Sequence, residues 1–347
     1  MARSFSTLAA LLAHGFDDVI DVRSPAEFAE DHVPGAINLP ALSNEERAEV
    51  GTIYVQDSPF KARKIGAALV ARNVARHLET ELADRDGGWR PLVYCWRGGQ
   101  RSGSVATILK AVGWRAETIE GGYQTYRRLV HDTVYNGTIP HQVVLLDGNT
   151  GTAKTDILAR AATRSVQVLD LEGLAHHRGS LLGGLPGGQP GQKAFESAIA
   201  CTLARLDPAR PVLVEAESSK VGDLIVPPAL WGAMKQARRV EVSAPVGARA
   251  AYLVEAYADM IRQTVVLREK LDQLRRHRGA AVVEHWQGLL EAGDHVGLAR
   301  SLIETHYDPA YAKSRAVHDP DFMATIEAPP PAERDRAGRA RRSRHPR

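Results

Sequence analysis

The chain has 347 residues, more than one hydrophobic core usually serves, and its length predicts two domains with additional segments. Its composition, 44% hydrophobic and 24% charged, is that of a globular protein; no apolar run approaches the length of a membrane span, and two cysteines without CxxC spacing exclude a disulfide framework. The net charge of +3 neither supports nor excludes nucleic-acid binding. Residues 331–347 carry seven arginines and two carboxylates, so the remainder of the chain is slightly acidic. We expect a cytoplasmic protein that does not contact a membrane.

Short β-rich runs alternate with helical patterns over the first 135 residues, which predicts a parallel sheet covered by helices on both faces. The run Ser24-Pro25-Ala26-Glu27 has the order of an N-cap, a proline and an acidic first turn, so a helix should begin there. A polar stretch containing Asn136-Gly137 marks a domain boundary. The predicted strands are 18–22, 36–39, 92–94 and 117–119, and the predicted helices are 65–82, 102–111 and 123–134.

The stretch Tyr94 to Ser102, YCWRGGQRS, places a cysteine between a predicted strand and a glycine-rich turn that leads into a helix. Amides at a helix N-terminus and arginine side chains stabilise a thiolate, and glycines permit the backbone angles that such a loop requires. We therefore expect Cys95 to be a nucleophile, with Arg97 and Arg101 as its catalytic partners in holding an anion. The alternative is a small buried hydrophobe, which is the favoured interpretation for Cys201 inside a helical run.

A second α/β series begins after residue 140. Its predicted strands are 142–146, 166–169, 211–215 and 240–243, its predicted helices are 154–162 and 194–206, and the pattern from 247 to 303 is helical only. The glycine-rich segment 183–191 is expected to be a loop inside this domain rather than a linker, since strands resume beyond it.

The segment 147–155, DGNTGTAKT, lies between the first of these strands and its helix and matches GxxxxGK[ST] except at Ala153. In such a loop the amides and the helix N-terminus cradle phosphates, the lysine neutralises them and the threonine hydroxyl can hold magnesium. A methyl group at position 153 crowds the turn only if φ is positive there. The predicted phosphate-binding residues are Gly148, Asn149, Thr150, Gly151, Lys154 and Thr155.

Two further polar segments follow predicted strands, DLEGLAHHRGS from Asp170 and EAES from Glu215. In an open α/β sheet both would lie on the ligand-binding edge. Asp170 or Glu172 are candidate magnesium ligands, although the sequence assigns no definite metal site. The other candidates at this second site are His177 and Arg178 for a diphosphate, Glu217 as a base or a phosphate-orienting group, and Ser218. Capping or ion pairing remains the alternative for each of them.

The motifs resemble known families. DVRSPAEF (Asp21 to Phe28), HVPGAINLP (His32 to Pro40), CWRGGQRS and EGGY (Glu120 to Tyr123) resemble a rhodanese domain, whose loop cysteine carries sulfur or selenium as a persulfide or perselenide. With ERAEVGTIYVQ (Glu46 to Gln56), GNTGTAKT, DLEGLAHHRGS, EAESSKVG and HYDPAYAKS (His306 to Ser314), the order of motifs resembles the tRNA 2-selenouridine synthases over residues 14–315. The departures are Ala153, Asp31 in place of a glycine, and the arginine-rich tail.

The resemblance implies an α/β fold, in which an N-terminal rhodanese-like parallel-sheet domain precedes a P-loop NTPase-like α/β domain with a helical C-terminal extension. The corresponding ranges are 1–138, 139–245 and 246–325, followed by a basic, disordered tail at 326–347. It also implies a transferase that converts wobble 2-thiouridine in tRNA to 2-selenouridine through an S-geranylated intermediate. The co-substrates would be geranyl diphosphate and selenophosphate, with magnesium and a selenophosphate-supplying enzyme as further expected partners.

Three alternatives stay open. A Cys-x5-Arg loop also occurs in phosphatases that attack phosphate through the cysteine, although the Asp21-Val22-Arg23 opening fits a sulfur carrier better. A P-loop kinase or NTPase with a rhodanese-type carrier domain would hydrolyse nucleotides independently of tRNA, and a non-catalytic binding module would not require two anion loops.

The candidate RNA contacts are Arg238, Arg239, Arg275, Arg276 and Arg278, with Trp286 nearby in sequence, and the basic tail. The sequence does not determine the oligomeric state.

Overall fold

The computed structural model describes residues 1–318 and 321–327, so most of the arginine-rich tail lies outside the described residues. The chain groups into two compact units. One comprises Met1–Thr138 with Pro190–Leu206, and the other comprises Ile139–Gln189 with the chain from Asp207 onward. Within the described ranges, no helix is both long enough and apolar enough to cross a bilayer.

The first unit is built on a five-stranded parallel sheet in the order β1-β5-β4-β2-β3. Its core packs Ile20 and Val93 of the sheet against Val70 and Leu109 of two covering helices. The strands are β1 Ala2–Arg3, β2 Asp18–Asp21, β3 Ile37–Asn38, β4 Pro91–Tyr94 and β5 Glu117–Ile119. The helices are α1 Leu8–Leu12, α2 Pro25–Glu30, α3 Asn44–Gln56, α4 Pro59–Glu79, α5 Gln100–Val112 and α6 Gly122–His131, which continues as a π-helical turn over Asp132–Asn136.

The second unit contains another five-stranded parallel sheet, in the order β12-β11-β6-β8-β7, and a separate two-stranded antiparallel pair. Its strands are β6 Val143–Asp147, β7 Gln167–Leu169, β8 Val212–Glu215, β9 Lys220–Val221, β10 Leu224–Ile225, β11 Arg238–Ser243 and β12 Phe322–Glu327. Its helices are α7 Lys154–Ala162, α8 Leu171–Leu174, α10 Pro228–Gln236, α11 Val246–Ala256, α12 Ala258–Arg262, α13 Thr264–Gln273, α14 Arg275–Arg278, α15 Ala280–Glu291, α16 His295–Leu302 and α17 Asp308–His318, with a π-helical turn at Ile303–Tyr307.

One helix, α9 (Gln192–Arg205), lies between the second-unit strands β7 and β8 in sequence but packs with the first unit. Phe195, Ile199 and Leu203 of α9 are buried. The sequence-based ranges had placed this segment within 139–245, because helical periodicity shows that a face is apolar but not which surface it covers.

Both sheets are parallel, as the alternation of strands and helices predicted. Each predicted strand and helix is present, with ends shifted by a few residues, except that the helix predicted at 65–82 begins earlier, at Pro59. The sequence analysis missed the helices α1, α3, α8, α10 and α17, the pair β9–β10 and the edge strands β1 and β12. Strand β12 includes residues 326–327, which the sequence analysis had assigned to the tail, and residues 328–347 of the predicted tail lie outside the described residues.

Candidate active sites

Cys95 follows β4 directly and is 3% exposed, in the predicted arrangement of strand, cysteine, glycine-rich turn and helix. The turn is compact because Gly98 has φ +67°, and a Cβ atom there would lie 2.7 Å from the carbonyl oxygen of Ile119. Helix α5 begins at Gln100, five residues after Cys95, so the first turn of the helix follows the cysteine loop directly.

The environment of Cys95 favours its thiolate. The Ser102 hydroxyl donates a hydrogen bond to Sγ over 3.1 Å. Burial by itself raises the pKa of the Cys95 thiol, but the hydroxyl and amide of Ser102, the charge of Arg101 and the amide of Gly99 together outweigh it and hold the pKa below its ordinary value. The sulfur is therefore a better nucleophile near neutral pH than an ordinary buried thiol.

The two arginines of the loop have different surroundings. Arg101 Nη1 lies 3.0 Å from Glu27 Oε2, and Arg47 Nε lies 3.0 Å from the same carboxylate oxygen. Arg97 is exposed and makes no ion pair within the described ranges. An incoming anion would therefore meet Arg97 as a cation that no carboxylate neutralises, while Arg101 acts on the thiolate from a fixed position.

The DVRS motif forms a buried ion pair near this loop. Arg23 is fully buried, and its Nη2 lies 2.6 Å from Asp21 Oδ2 and donates to the Asp31 carbonyl oxygen over 2.7 Å. Its guanidinium lies 3.9 Å from the ring centre of Tyr123. Because both charges of this pair are desolvated, removing one partner would leave a costly unpaired ion.

The EGGY motif closes the cysteine loop from the other side. Gly122 has φ +57°, and a Cβ atom there would lie 2.2 Å from the Cys95 carbonyl oxygen. That oxygen accepts a hydrogen bond of 2.8 Å from the Tyr123 amide. Only glycine permits this approach, so the motif fixes the backbone of the cysteine loop.

Asp31, which departs from the rhodanese pattern, belongs to a buried polar network. It accepts hydrogen bonds from the Tyr123 hydroxyl over 2.8 Å and from Ser197 of α9 over 2.9 Å, and burial raises its pKa. Cys201 of α9 is also buried, 3.6 Å from the Tyr126 hydroxyl, and burial raises its pKa. The favoured interpretation of Cys201 as a buried structural thiol is confirmed.

The predicted phosphate loop joins β6 to α7, which begins at Lys154. Ala153 has φ +61° and ψ +34°, so the residue that departs from the motif occupies the left-handed region. An L-residue other than glycine is strained in this conformation. The methyl group of Ala153 therefore strains the phosphate loop, as expected for a positive φ at this position.

Two residues that the sequence analysis did not single out hold this loop. Arg249, 4% exposed, donates through Nε to the Thr150 carbonyl oxygen over 2.8 Å. Its other nitrogens lie 2.6 and 3.0 Å from the two carboxylate oxygens of Asp308, which also accepts a 2.9 Å bond from Asn149. Asp308 belongs to the HYDPAYAKS segment, which carried a family resemblance without an assigned role.

Lys154 and Thr155 lie at the start of α7. Lys154 Nζ donates to the Gly148 carbonyl oxygen over 2.6 Å and lies 5.7 Å from the ring centre of Tyr311. Thr155 Oγ1 donates to Glu172 Oε2 over 2.9 Å. No three His, Cys, Asp or Glu side chains of the described residues are grouped as a metal site. A hydroxyl beside one carboxylate suits Mg²⁺, which usually takes few protein ligands and completes its shell with substrate phosphates and water.

Residues 150–155 of the phosphate loop line a cleft of about 750 Å³ within the second unit, whereas the predicted phosphate-binding residues Gly148 and Asn149 are not part of its lining. Four second-site candidates also line it: Glu172, His177, Arg178 and Glu217. Asp170 and Ser218 are elsewhere, where Asp170 accepts the Gly173 amide over 2.7 Å as the cap of α8 and Ser218 donates to the Lys220 carbonyl oxygen over 2.8 Å. The structure thus brings four of the six together with the loop, and the two others make local structural contacts.

The carboxylates beside the loop are protonated more readily than usual. Burial and the neighbouring charge of Glu172 raise the pKa of Glu217 to about 8, against the opposing charge of Lys154. Burial and Asp170 also raise the pKa of the fully buried Glu215. Two carboxylates that share a desolvated site cannot both ionise easily, so Glu217 retains a proton near neutral pH.

Arg178 and His177 reach the cleft from the loop after α8. Arg178 Nη2 lies 3.0 Å from both carboxylate oxygens of Asp259, and its guanidinium lies 4.9 Å from the Tyr257 ring centre. Its Nη1 is buried and makes no hydrogen bond within the described part of the chain. His177 Nδ1 accepts the Gly179 amide over 3.1 Å, and burial lowers its pKa. Arg178 therefore keeps unpaired donor capacity at the cleft.

An apolar pocket of about 50 Å³ adjoins the cleft and shares Thr150, Leu253, Tyr257 and Tyr307 with its wall. Its remaining lining comes from the loop after α8 and from helices α11, α12, α13 and α16, and is almost entirely apolar: Leu182, Val254, Met260, Ile261, Leu267, His295, Leu298, Ala299 and Leu302. The polar cleft that contains the predicted phosphate loop thus continues into a hydrocarbon-lined pocket.

Most of the arginines proposed to contact RNA have other partners. Arg238 pairs with Asp321, Arg239 with Asp147, and Arg275 with both Asp272 and Glu284, while Arg278 donates to His306. Trp286 is fully buried and donates to Ser301 Oγ over 2.9 Å, so its expected proximity to an RNA surface is wrong. A tryptophan on an amphipathic helix more often faces the core, as here.

The fold and these two sites define a protein that joins a rhodanese-like domain to a P-loop domain. Residues 4–129 match the model of the rhodanese-like domain, and residues 141–327 match that of the tRNA 2-selenouridine synthase AAA domain. The chain therefore belongs to the tRNA 2-selenouridine synthase family.

Curated relatives carry that family name. The chain is 34% identical over 293 residues to the tRNA 2-selenouridine synthase of Nitrosomonas europaea, covering 79% of this chain and 75% of that protein. It is 33% identical over 332 residues to that of Hahella chejuensis, covering 85% and 84%. Among solved structures, a rhodanese-related protein from Thermoplasma volcanium is similar over 37% of this chain and 90% of its own, at 19% identity and a TM-score of 0.23.

Proposed function

We propose that this protein converts wobble 2-thiouridine in tRNA to 2-selenouridine in two steps, with geranyl diphosphate and selenophosphate as co-substrates. The first step attaches the geranyl group to the base sulfur, and the second replaces the S-geranyl group with selenium. The observation that carries the proposal is the continuity between the phosphate-loop cleft and the apolar pocket. A prenyl diphosphate has the matching division into an anionic head and a hydrocarbon tail.

The dimensions indicate how such a donor would bind. A cavity of about 150 Å³ is needed to enclose benzene, so the 50 Å³ pocket suits only the end of a C10 chain. The rest of the chain would lie along Leu253, Tyr252 and Tyr257 on the wall of the cleft. The diphosphate would then meet the loop amides, Lys154 and the unpaired donors of Arg178.

In the first step a carbon–sulfur bond forms at C1 of the geranyl group, and the C1–oxygen bond breaks with its electron pair leaving on the diphosphate. The base loses its N3 proton to water, so the S-geranylated base is neutral. The developing negative charge is stabilised by the phosphate-loop amides and Lys154. Thr155 and Glu172 are the residues suited to hold Mg²⁺, which would neutralise the leaving diphosphate. Because the pKa of Glu217 is raised to about 8, this carboxyl group is protonated near neutral pH and adds no negative charge where the diphosphate would bind.

In the second step a selenium atom bonds to C2 of the base, and the geranylthiolate leaves with the electron pair of the C2–sulfur bond. Hydrolysis of the selenium–phosphorus bond releases phosphate, so selenophosphate supplies the selenium without an external oxidant. We assign Cys95 to this step as a covalent nucleophile, because its thiol has a lowered pKa and accepts the Ser102 hydroxyl bond. Its thiolate would bond to C2 as the geranylthiolate leaves, and the selenium would then bond to C2 as the Cys95 thiolate leaves, so no atom changes its oxidation state.

The test is mass spectrometry of nucleosides from a 2-thiouridine tRNA incubated with the protein, geranyl diphosphate, Mg²⁺ and selenophosphate. We expect S-geranyl-2-thiouridine followed by 2-selenouridine. Cys95→Ser should retain geranylation and lose selenation, Lys154→Ala should lose geranylation, and the control Cys201→Ser should retain both. Loss of both products in a folded Cys95→Ser protein would contradict this division, and nucleotide hydrolysis without any modified nucleoside would favour the kinase or NTPase alternative.

The apolar pocket is tested by donor length. Ala299→Leu narrows the pocket, so we expect a raised KM for geranyl diphosphate but not for dimethylallyl diphosphate, whose five carbons end before the pocket. Equal effects on both donors would place the geranyl chain elsewhere.

A further inference from the structure

Helices α3 and α4 form a hairpin whose tip, residues 54–64, is unusually exposed. None of the thirteen residues of α3 is buried, although the helix contains valine, isoleucine and tyrosine. It packs closely against α4 at Gly66, where an added Cβ atom would lie 3.4 Å from Val50, and its N-terminal half contacts α2 through the Arg47–Glu27 ion pair. This hairpin includes the ERAEVGTIYVQ segment, to which the two anion sites give no role.

Apolar groups concentrate at the hairpin tip. Phe60 is 70% exposed, Val55 83% and Tyr54 54%. Among the described residues, only Tyr135 is a further tyrosine, phenylalanine or tryptophan with more than a third of its surface exposed. Exposed apolar clusters of this kind mark interaction surfaces more often than isolated apolar residues do.

Positive charge accompanies these aromatic side chains. Arg63 and Lys64 are exposed and make no ion pair within the described ranges, whereas Lys61 Nζ pairs with Asp57 over 2.6 Å. Phe60, Arg63 and Lys64 are spaced i, i+3 and i+4, so they share one face of α4. Asp57 is the only carboxylate of the hairpin tip.

This combination fits RNA better than a protein surface. Unpaired bases in RNA loops stack on aromatic side chains, and their phosphates require cations a few ångströms away. We propose that the hairpin tip binds an unpaired loop of the tRNA substrate, with bases stacked on Tyr54 and Phe60 and phosphates paired with Arg63 and Lys64. The proposal rests on the proposed function, since it assumes an RNA substrate.

The experiment measures binding of a fluorescent 2-thiouridine tRNA to the full chain by anisotropy over a range of salt concentrations. Phe60→Ala should weaken binding by about fivefold or more, the effect of losing one stacked base. The control Ile225→Ala removes an apolar side chain of comparable exposure from β10 and should leave affinity unchanged.

The charges are tested separately. Arg63→Gln/Lys64→Gln should weaken binding and make the dependence of log Kd on log salt concentration less steep by about 1.4, the value for two contacts to single-stranded phosphates. The control Arg128→Gln/Lys235→Gln removes two exposed cations elsewhere. If its salt slope changes equally, the hairpin tip is not a specific RNA surface.

The outcomes separate the two proposals. Absence of tRNA binding by the wild-type chain would overturn the proposed function itself. Tight wild-type binding that the tip variants leave intact would overturn only the role of the hairpin tip. A change in oligomeric state of Phe60→Ala, measured by analytical ultracentrifugation with tRNA affinity unchanged, would show that the tip binds a second copy of the chain instead.

Discussion

Ala153 provides a sharp test of the phosphate-loop geometry. Replacing it with glycine should stabilise the second unit, because position 153 has φ +61° and glycine adopts that conformation without a Cβ clash. In a right-handed helical start the same substitution would be destabilising. The sign of the effect therefore reports on the backbone conformation.

The magnitude follows from two opposing contributions. The left-handed conformation costs an L-residue about 1–2 kcal/mol. Glycine removes this cost but also makes the unfolded chain more flexible, which lowers the free energy of unfolding by about 0.4–1 kcal/mol. The net increase in the free energy of unfolding should be about 0.5–1 kcal/mol, which raises Tm by about 1–4 °C for a unit of this size. If the strained loop also populates other conformations, Ala153→Gly should bind pyrophosphate up to about fivefold more tightly.

The assay is thermal and urea unfolding, with calorimetric titration of inorganic pyrophosphate. Ala159→Gly is the matched control, because it makes the same chemical change at an exposed position inside α7. It should lower the free energy of unfolding by about 0.5–1 kcal/mol. If Ala153→Gly destabilises the protein as much as Ala159→Gly does, the positive φ at position 153 and the strain argued from it are wrong.

Three further predictions concern the two sites. Ser102→Ala removes the hydroxyl bond to the sulfur and should raise the pKa of Cys95, seen as a higher midpoint in the pH titration of thiolate absorbance at 240 nm; an unchanged midpoint would mean that the hydroxyl does not stabilise the thiolate. Gly122→Ala should destabilise the first unit by several kcal/mol more than Gly35→Ala, since both positions have positive φ but only the first would meet backbone atoms, and equal losses in urea unfolding would refute the clash. Because the pKa of Glu217 is raised on folding to about 8, its contribution to stability is present at pH 4 and is lost as pH rises towards 9, so Glu217→Gln should flatten the fall in Tm over that range, and parallel curves would contradict the shift.

The elements that the sequence predicted correctly are those specified by local pattern. The strand before Cys95 and the helix 154–162 lie where apolar runs and glycine-rich turns placed them. The missed strands β1 and β12 lie at sheet edges. Edge pairing depends on a neighbour that is distant in the chain, so a short segment carries little local signal for it.

The same distinction holds at the sites. The residue types and their spacing predicted that Cys95 and the phosphate loop lie between a strand and a helix and that four further candidates lie near that loop, because the carboxyl ends of parallel strands share one edge of a sheet. The sequence did not predict the sign of φ at Ala153, the Arg249–Asp308 ion pair that contacts the phosphate loop, or the apolar pocket beside the cleft. Each of these depends on segments that only folding brings together, and the strain, burial and cavity shape that result are properties of packing between them.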